Sequence, residues 1–412
     1  MEYHDFVLSN GLRVLFHPDT TSTQIALNVL YNVGARDEDP NKTGFAHLFE
    51  HLMFGGSLNI PDYDEPLQVA GGENNAYTTN DITNYYLSLP AKNIETAFWL
   101  ESDRMLGLAF SEKSLDVQRK VVCEEFKEHY INKPYGDFWK HLRALSFTTH
   151  PYQWMTIGKE LSHVEKATLA DVKAFFYKHY TPCNAILVVA GNTTLAVVEQ
   201  LCKKYFEPIP AGTKYERNLP QEPAQTQARS LTIQANVPLD AIGKTWHIPP
   251  RMHQGYYAAD LITELLSGGS SSRLYESLVK QKQLFTNIDC YHFGSVEAGL
   301  LAVEGKLAQG VSMQAAEEGI MVEIEKLLAE PPSEKELNKV KNRTESIMVF
   351  EDMSLVSRAA SLAFATLLGN PALMNTDLAM YQSLTSADIH QWAKTIFNPQ
   401  ACNTLYYHRN AS

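Results

Sequence analysis

A chain of 412 residues that says nearly the same thing twice has few folds open to it. The segment GFAHLFEHLMFGGS starts at Gly44 and YYAADLITELLSGGS starts at Tyr256; aligned on their shared GGS, at Gly55 and Gly268, they stand 213 residues apart. A second pair closes each half: ADVKAFFYKHYTPCNAILVV from Ala170 and ADIHQWAKTIFNPQACNTLYY from Ala387, 217 residues apart. Two matches in the same order at nearly one offset point to a duplicated domain of roughly 200 residues. Between the copies, residues 208–228 hold four prolines among polar residues, with a period of neither 2 nor 3.6, which reads as an extended connector. The chain therefore divides into 1–210, a linker over 211–228, and 229–412.

Within each copy the hydrophobic period alternates between strand and helix. Leu12, Val14 and Phe16, and again Thr83, Tyr85, Leu87 and Leu89, alternate with other residues, which predicts strands with one buried face. Strand-like runs over 25–33 and 241–248 precede the two GGS segments. Helical patterns cover 93–108, 112–130 and 169–179, with polar caps at several starts, and a helix-rich stretch over 312–397 is expected to serve the second copy. The fold class that results is α+β: two homologous domains, each a mixed, mainly antiparallel sheet packed with helices.

Composition excludes several functions. With 47 Asp plus Glu against 35 Lys plus Arg, the net charge of -12 opposes binding to phosphate backbones. No run of about 18 apolar residues offers a membrane span, and the start lacks a basic region followed by an apolar one. Five cysteines, far apart and without CxxC spacing, suggest neither a disulfide framework nor a zinc ribbon, so a cytoplasmic, reducing setting is expected. No GxSxG turn is present, and Cys123 has no His partner nearby in sequence, which disfavours a serine or cysteine nucleophile.

Chemistry concentrates at His47-Leu-Phe-Glu50-His51, inside a helix predicted over 43–54. Residues four apart share a helix face, so both imidazoles can reach one divalent ion while Glu50 stands beside them. Zinc suits such donors. It would keep a position for water, leaving Glu50 to accept the water's proton and pass it to a leaving amine. A third ligand must come from elsewhere. Glu124 and Glu125 are adjacent on the next long helix, separated by about 100° of rotation, so only one can face inward. Spacing leans slightly to Glu125 and leaves both open.

HLFEH after a strand and loop, QRKVVCEE with Glu125 lying 74 residues after His51, GGENNAYTTNDITNYY between them, HPY at His150, and GGSSSRLYESL in the second half together resemble the inverzincin zinc peptidases. This is the family of pitrilysin, insulin-degrading enzyme and mitochondrial processing peptidase, in its branch of about 400 residues whose chains pair as a clamshell. The resemblance implies one Zn²⁺ per chain, held by His47, His51 and Glu125, with Glu50 as catalytic base. It implies that Gln118, where many relatives carry glutamate, supports a zinc histidine from behind. It also implies that a peptide adds as a strand along Asn75, Ala76 and Tyr77. In the second copy, Asp260, Thr263 and Glu264 stand where His47, Glu50 and His51 stand, so a second zinc is not expected.

Short relatives often carry an Arg and a Tyr seven apart in the second domain; here Val279 and Thr286 occupy those positions. The implied function is a zinc metalloendopeptidase acting on extended peptides, as the catalytic half of a heterodimer whose homologous partner supplies the Arg/Tyr pair. A homodimer is the alternative assembly, and a non-catalytic scaffold of the same fold is the alternative function.

Overall fold

The computed structural model describes residues 1–410. They form two compact units. The first comprises Met1–Glu128, Trp154–Pro220 and Val349–Asn375; the second comprises His129–Gln153, Gln221–Met348 and the chain from Thr376 onward.

The first unit holds strands β1 (His4–Val7), β2 (Arg13–Pro18), β3 (Gln24–Tyr31), β4 (Glu73–Thr78), β5 (Thr83–Pro90) and β6 (Ala185–Gly191), in the spatial order β1-β2-β6-β3-β5-β4. Only β2 and β6 run parallel; every other neighbour is antiparallel. The second holds β7 (Arg229–Ala235), β8 (Ala241–Ile248), β9 (Phe285–Phe293), β10 (Gly299–Leu307) and β11 (Asn403–Arg409), in the order β7-β11-β8-β10-β9, with β7 and β11 parallel. Strand for strand the second sheet repeats the first without β1, so the duplication seen in sequence is a duplication of topology.

The closing segments explain why the copies fold alike. The Leu169–His179 helix starts on a capping box in which the Thr168 hydroxyl accepts the Asp171 N–H and the Asp171 carboxylate takes the Thr168 N–H. Thr385 and Asp388 make the same box for the Ser386–Ile396 helix. Each box satisfies backbone donors that the first helical turn would leave bare. In each copy a short turn opening on proline, Pro182 or Pro399, then delivers the chain into the parallel strand.

Two expectations need correction. The strands over 13–18 and 83–90 are buried on both faces, not one. The reason is the Leu355–Leu367 helix, expected in the second domain: Ala359, Leu362 and Ala363 pack on Leu15, Ala26, Leu30, Val188 and Ala190 of the first sheet. In return the Phe138–Ser146 helix, which lies in the first half of the sequence, packs Phe138 and Leu142 on Leu405 and Tyr407 of the second. The compact units are thus interleaved and differ from the contiguous stretches 1–210 and 229–412. An alternating pattern records which face is apolar; it does not record which distant segment covers the other.

The predicted helices shorten slightly to Phe45–Leu52, Ile94–Leu106 and Glu112–Phe126, the last running on into a wider turn over Lys127–Asn132. The connector carries neither helix nor strand over 211–228 and is pinned at two points. Within the first unit Arg217 grips Asp37 at 2.7 Å, and within the second Glu222 accepts the amides of Thr148, Thr149 and His150 at 2.8 to 3.0 Å.

Candidate metal centre

The Phe45–Leu52 helix begins abruptly and is held by the unit's interior. Gly44 sits before it at φ +88°, a left-handed conformation, and a Cβ there would meet the Ile157 carbonyl at 2.5 Å, so glycine is required. No side chain at the cap satisfies the first turn. Instead the carboxylate of Glu38, almost fully buried, accepts the N–H groups of Gly44 and Ala46, each at 2.9 Å. Phe45, Leu48, Phe49 and Leu52 bury the opposite side of the helix.

The far end is fixed by a buried cation. Arg104, paired with Glu101 at 2.6 Å, lies under the rings of Tyr85, Tyr63 and Phe54, with its guanidinium carbon 4.5, 4.6 and 5.4 Å from their centroids. Tyr85 belongs to β5 and Phe54 follows the helix, so this one residue ties helix to sheet. Sequence reasoning missed both Glu38 and Arg104. A charged residue inside a chain pattern carries no mark of the distant groups that neutralise it.

On this helix His47 and His51 sit with ring centroids 4.9 Å apart. Their Nε2 atoms lie 3.8 and 3.4 Å from Glu125 Oε2, on the Glu112–Phe126 helix. That helix is capped by Ser111, packs beside the first and buries Val122, Cys123 and Phe126. Among the described residues, these three are the one group of donors close enough to share an ion, all within 4.8 Å of one another. Glu124 points elsewhere, exposed and paired with Lys127 at 2.8 Å.

The arrangement fits zinc. Tetrahedral ligands about 2.1 Å from an ion lie about 3.4 Å from each other, close to the spacings found. Two nitrogens and a carboxylate oxygen, half-buried, are the donor types zinc takes in hydrolytic sites. Burial pulls the His47 pKa down to about 4, against the pull of Glu125, so its imidazole is neutral and free to donate a lone pair at neutral pH. Its other nitrogen, Nδ1, is buried without a hydrogen-bond partner. The side chain of Gln118, on the same helix as Glu125, makes no hydrogen bond among the described residues, so no contact in this structure supports its implied role behind a histidine.

Glu50 lies on the same face, with Oε2 accepting the Thr78 hydroxyl at 2.6 Å. Burial raises its pKa, and the Thr78 bond works the other way. Thr78 is the last residue of β4, and β4 is the edge of its sheet, paired only with β5 in the register Glu73↔Ser88 to Thr78↔Thr83. Asn75, Ala76 and Tyr77 form the middle of that strand, with Asn75 and Tyr77 on its exposed side. The Asn75 side chain folds back to accept the Ala76 N–H at 2.8 Å, occupying a main-chain donor. Thr78 is a further residue that sequence reasoning passed over; its place next to the strand segment was the available signal. In the second unit Val279 is half-buried against the core and Thr286 is exposed, its hydroxyl spent on the Lys306 carbonyl at 3.1 Å.

Comparison with known proteins bears on the family and the fold. Residues 13–151 match the family description "Insulinase (Peptidase family M16)" and residues 166–344 match "Peptidase M16 inactive domain". A Helicobacter pylori protein named zinc protease PqqE is 28% identical over 414 residues, covering 98% of this chain and 92% of its own length. A crystal structure of a protease from Helicobacter pylori superposes with a TM-score of 0.93 at 26% identity, over 99% of both chains. Another, of a peptidase M16 inactive domain from Pseudomonas fluorescens, superposes at 0.90 over 100% of this chain and 99% of its own; at 17% identity it speaks for the fold alone. Matches that run through both halves, over a duplicated fold shared nearly end to end, mean that the chain belongs to peptidase family M16.

Proposed function

We propose that the chain is a zinc-dependent metalloendopeptidase that cleaves peptides held in extended form. One observation supports this above the others: three zinc-type donors from two helices come together, and the carboxylate beside them is hydrogen-bonded to the end of an edge strand whose outer side is unpaired. His47, His51 and Glu125 would hold the ion. Zinc there would polarise a carbonyl and lower the pKa of water from 15.7 to roughly 7.

The remaining work belongs to the protein. A peptide pairing with the free edge of β4 would be held by its main chain, with Asn75 releasing the Ala76 N–H to a peptide carbonyl. The scissile amide would then come to rest near Glu50, at the Thr78 end. Glu50 takes a proton from water as its oxygen attacks the carbonyl carbon, and delivers that proton to the amine nitrogen as the C–N bond breaks. Burial of Glu50 favours the first of these transfers, because a carboxylate with a raised pKa is the stronger base toward the proton of water.

Val279 and Thr286 supply no donor suited to a developing oxyanion, and loss of such a donor typically lowers rates by about 10² to 10³. On that ground the active form is proposed to be a heterodimer with a homologous subunit that supplies an Arg/Tyr pair. The five cysteines, all free, support a cytoplasmic setting. The test is to purify the chain alone and with its nearest encoded homologue, measure zinc by mass spectrometry, and follow a quenched peptide. One zinc per chain with cleavage that rises sharply in the pair is expected. Equal activity from the isolated chain would remove the heterodimer, and near-zero zinc in protein prepared without chelators would favour the scaffold.

A further inference from the structure

The first unit carries a groove of about 590 Å³ that the proposed chemistry does not use. It lies between the Asp64–Val69 helix and the Ile94–Leu106 helix. Two apolar side chains of its lining are open to solvent: Val69 is 85% exposed and Trp99 39%.

Two carboxylates, Asp62 and Glu65, stand in the lining. Neither has a cationic partner among the described residues; Asp62 only caps the amides of Asp64 and Glu65, each at 3.0 Å. The walls are rigid. Asp103, buried, holds Ser57 and both the amide and side chain of Asn59, and the Asn93 side chain donates to the Ala70 carbonyl at 2.8 Å. The groove is therefore preformed, and charge selects what may fill it: an apolar side chain on the indole, with a Lys or Arg beside it reaching the two acids.

Its position gives it a role. Ala70, in the lining, is three residues before Glu73, where β4 begins, while the other end of β4 is Thr78, bonded to Glu50. The six residues of β4, at about 3.3 Å each, put about 20 Å of strand between its groove end and its Glu50 end. We infer that this groove is a second docking site for the substrate, which selects peptides carrying an apolar residue next to a basic one about six to eight positions from the cleaved bond. The inference rests on the peptidase reading and on strand addition along β4, and it adds a substrate class to them.

The test uses the full chain with three quenched peptides of one cleavable core, extended on either side by six residues that are apolar-basic, apolar-acidic or polar-neutral. On one side the apolar-basic extension is expected to lower KM about tenfold with kcat little changed, and to lose that advantage in Asp62→Asn/Glu65→Gln, in Trp99→Ala and at high salt. Binding of the same peptides, fluorescently labelled, to Glu50→Gln protein by anisotropy gives a readout that needs no turnover. If the core is not cleaved but the charge preference in binding remains and vanishes in the double variant, the peptidase reading fails and the groove stands. If basic and acidic extensions bind alike within twofold, or the preference survives Asp62→Asn/Glu65→Gln, the groove is not a docking site.

Discussion

The two units place the same helix after the same strand and treat its polar face in opposite ways. In the first, His47 and His51 turn toward Glu125, and His47 Nδ1 is left buried without a partner. In the second, the corresponding helix, Gln254–Ser267, presents Asp260, Thr263 and Glu264; each has a protein neighbour, although Glu264 Oε2 is itself buried without a hydrogen bond. Asp260 accepts the Tyr381 hydroxyl at 2.7 Å, the Thr263 hydroxyl is spent on the Asp260 carbonyl at 2.7 Å, and Glu264 lies 3.1 Å from the Arg343 guanidinium. Arg343 comes from the Glu334–Glu351 helix, the counterpart in chain order of the helix that carries Glu125. One copy brings three zinc-type donors together from two helices, and the other sets an arginine of its own beside its carboxylate. Helix-on-sheet packing tolerates both, because the apolar side of the helix is what it reads. Function follows from which polar groups are left wanting.

His51→Ala should break the contrast most completely. With one imidazole gone, the set of two nitrogens and one oxygen falls to two donors, and zinc content is expected to drop from about one per chain to near zero together with cleavage, as read by metal analysis and peptide turnover. Glu50→Gln separates holding the ion from using it: zinc should stay at one per chain while turnover falls by about 10² to 10⁴, since an amide cannot accept the proton of water. Normal turnover in that variant would reject the role given to Glu50.

Thr78→Val sharpens the point. Removing the hydroxyl that orients Glu50 is expected to cost about tenfold in kcat with KM and zinc content nearly unchanged, and Thr78→Ser should recover most of it, because a neutral bond to a carboxylate contributes about 1.5 kcal/mol. The smallest effect belongs to the second unit. Arg343→Ala removes an ion pair whose arginine is about half-exposed, so thermal or denaturant unfolding should register a loss of less than about 1 kcal/mol and zinc should be unaffected. A loss of zinc there would mean that the two copies are not chemically separate.

Much of this was legible in the residues themselves. The GGS and closing repeats announce the duplicated sheet, since repeated hydrophobic patterns and repeated Thr-x-x-Asp caps are local devices that build local structure the same way twice. His47, Glu50 and His51 could be put on one face by helical spacing alone. Glu125 could not be told from Glu124 by spacing, because adjacent residues on a helix differ by a rotation whose reference is the neighbouring helix. Nothing near Glu38, Arg104 or Thr78 in sequence shows that they cap, clamp and orient the site, as their partners lie 3 to 50 positions away in contacts made by chain reversal or packing.

The chain by itself therefore determined the copy number of the fold, the donors available for an ion and the absence of such donors in the second copy, all properties of short segments read against their own periodicity. Tertiary structure decided which acid meets the imidazoles, which edge of the sheet is left open beside the base, and that Leu355–Leu367 and Phe138–Ser146 each cover the sheet of the other half's sequence. The physical reason is that an apolar face is satisfied by any well-fitting apolar surface, so its sequence fixes that it will be covered while only the folded chain fixes by what.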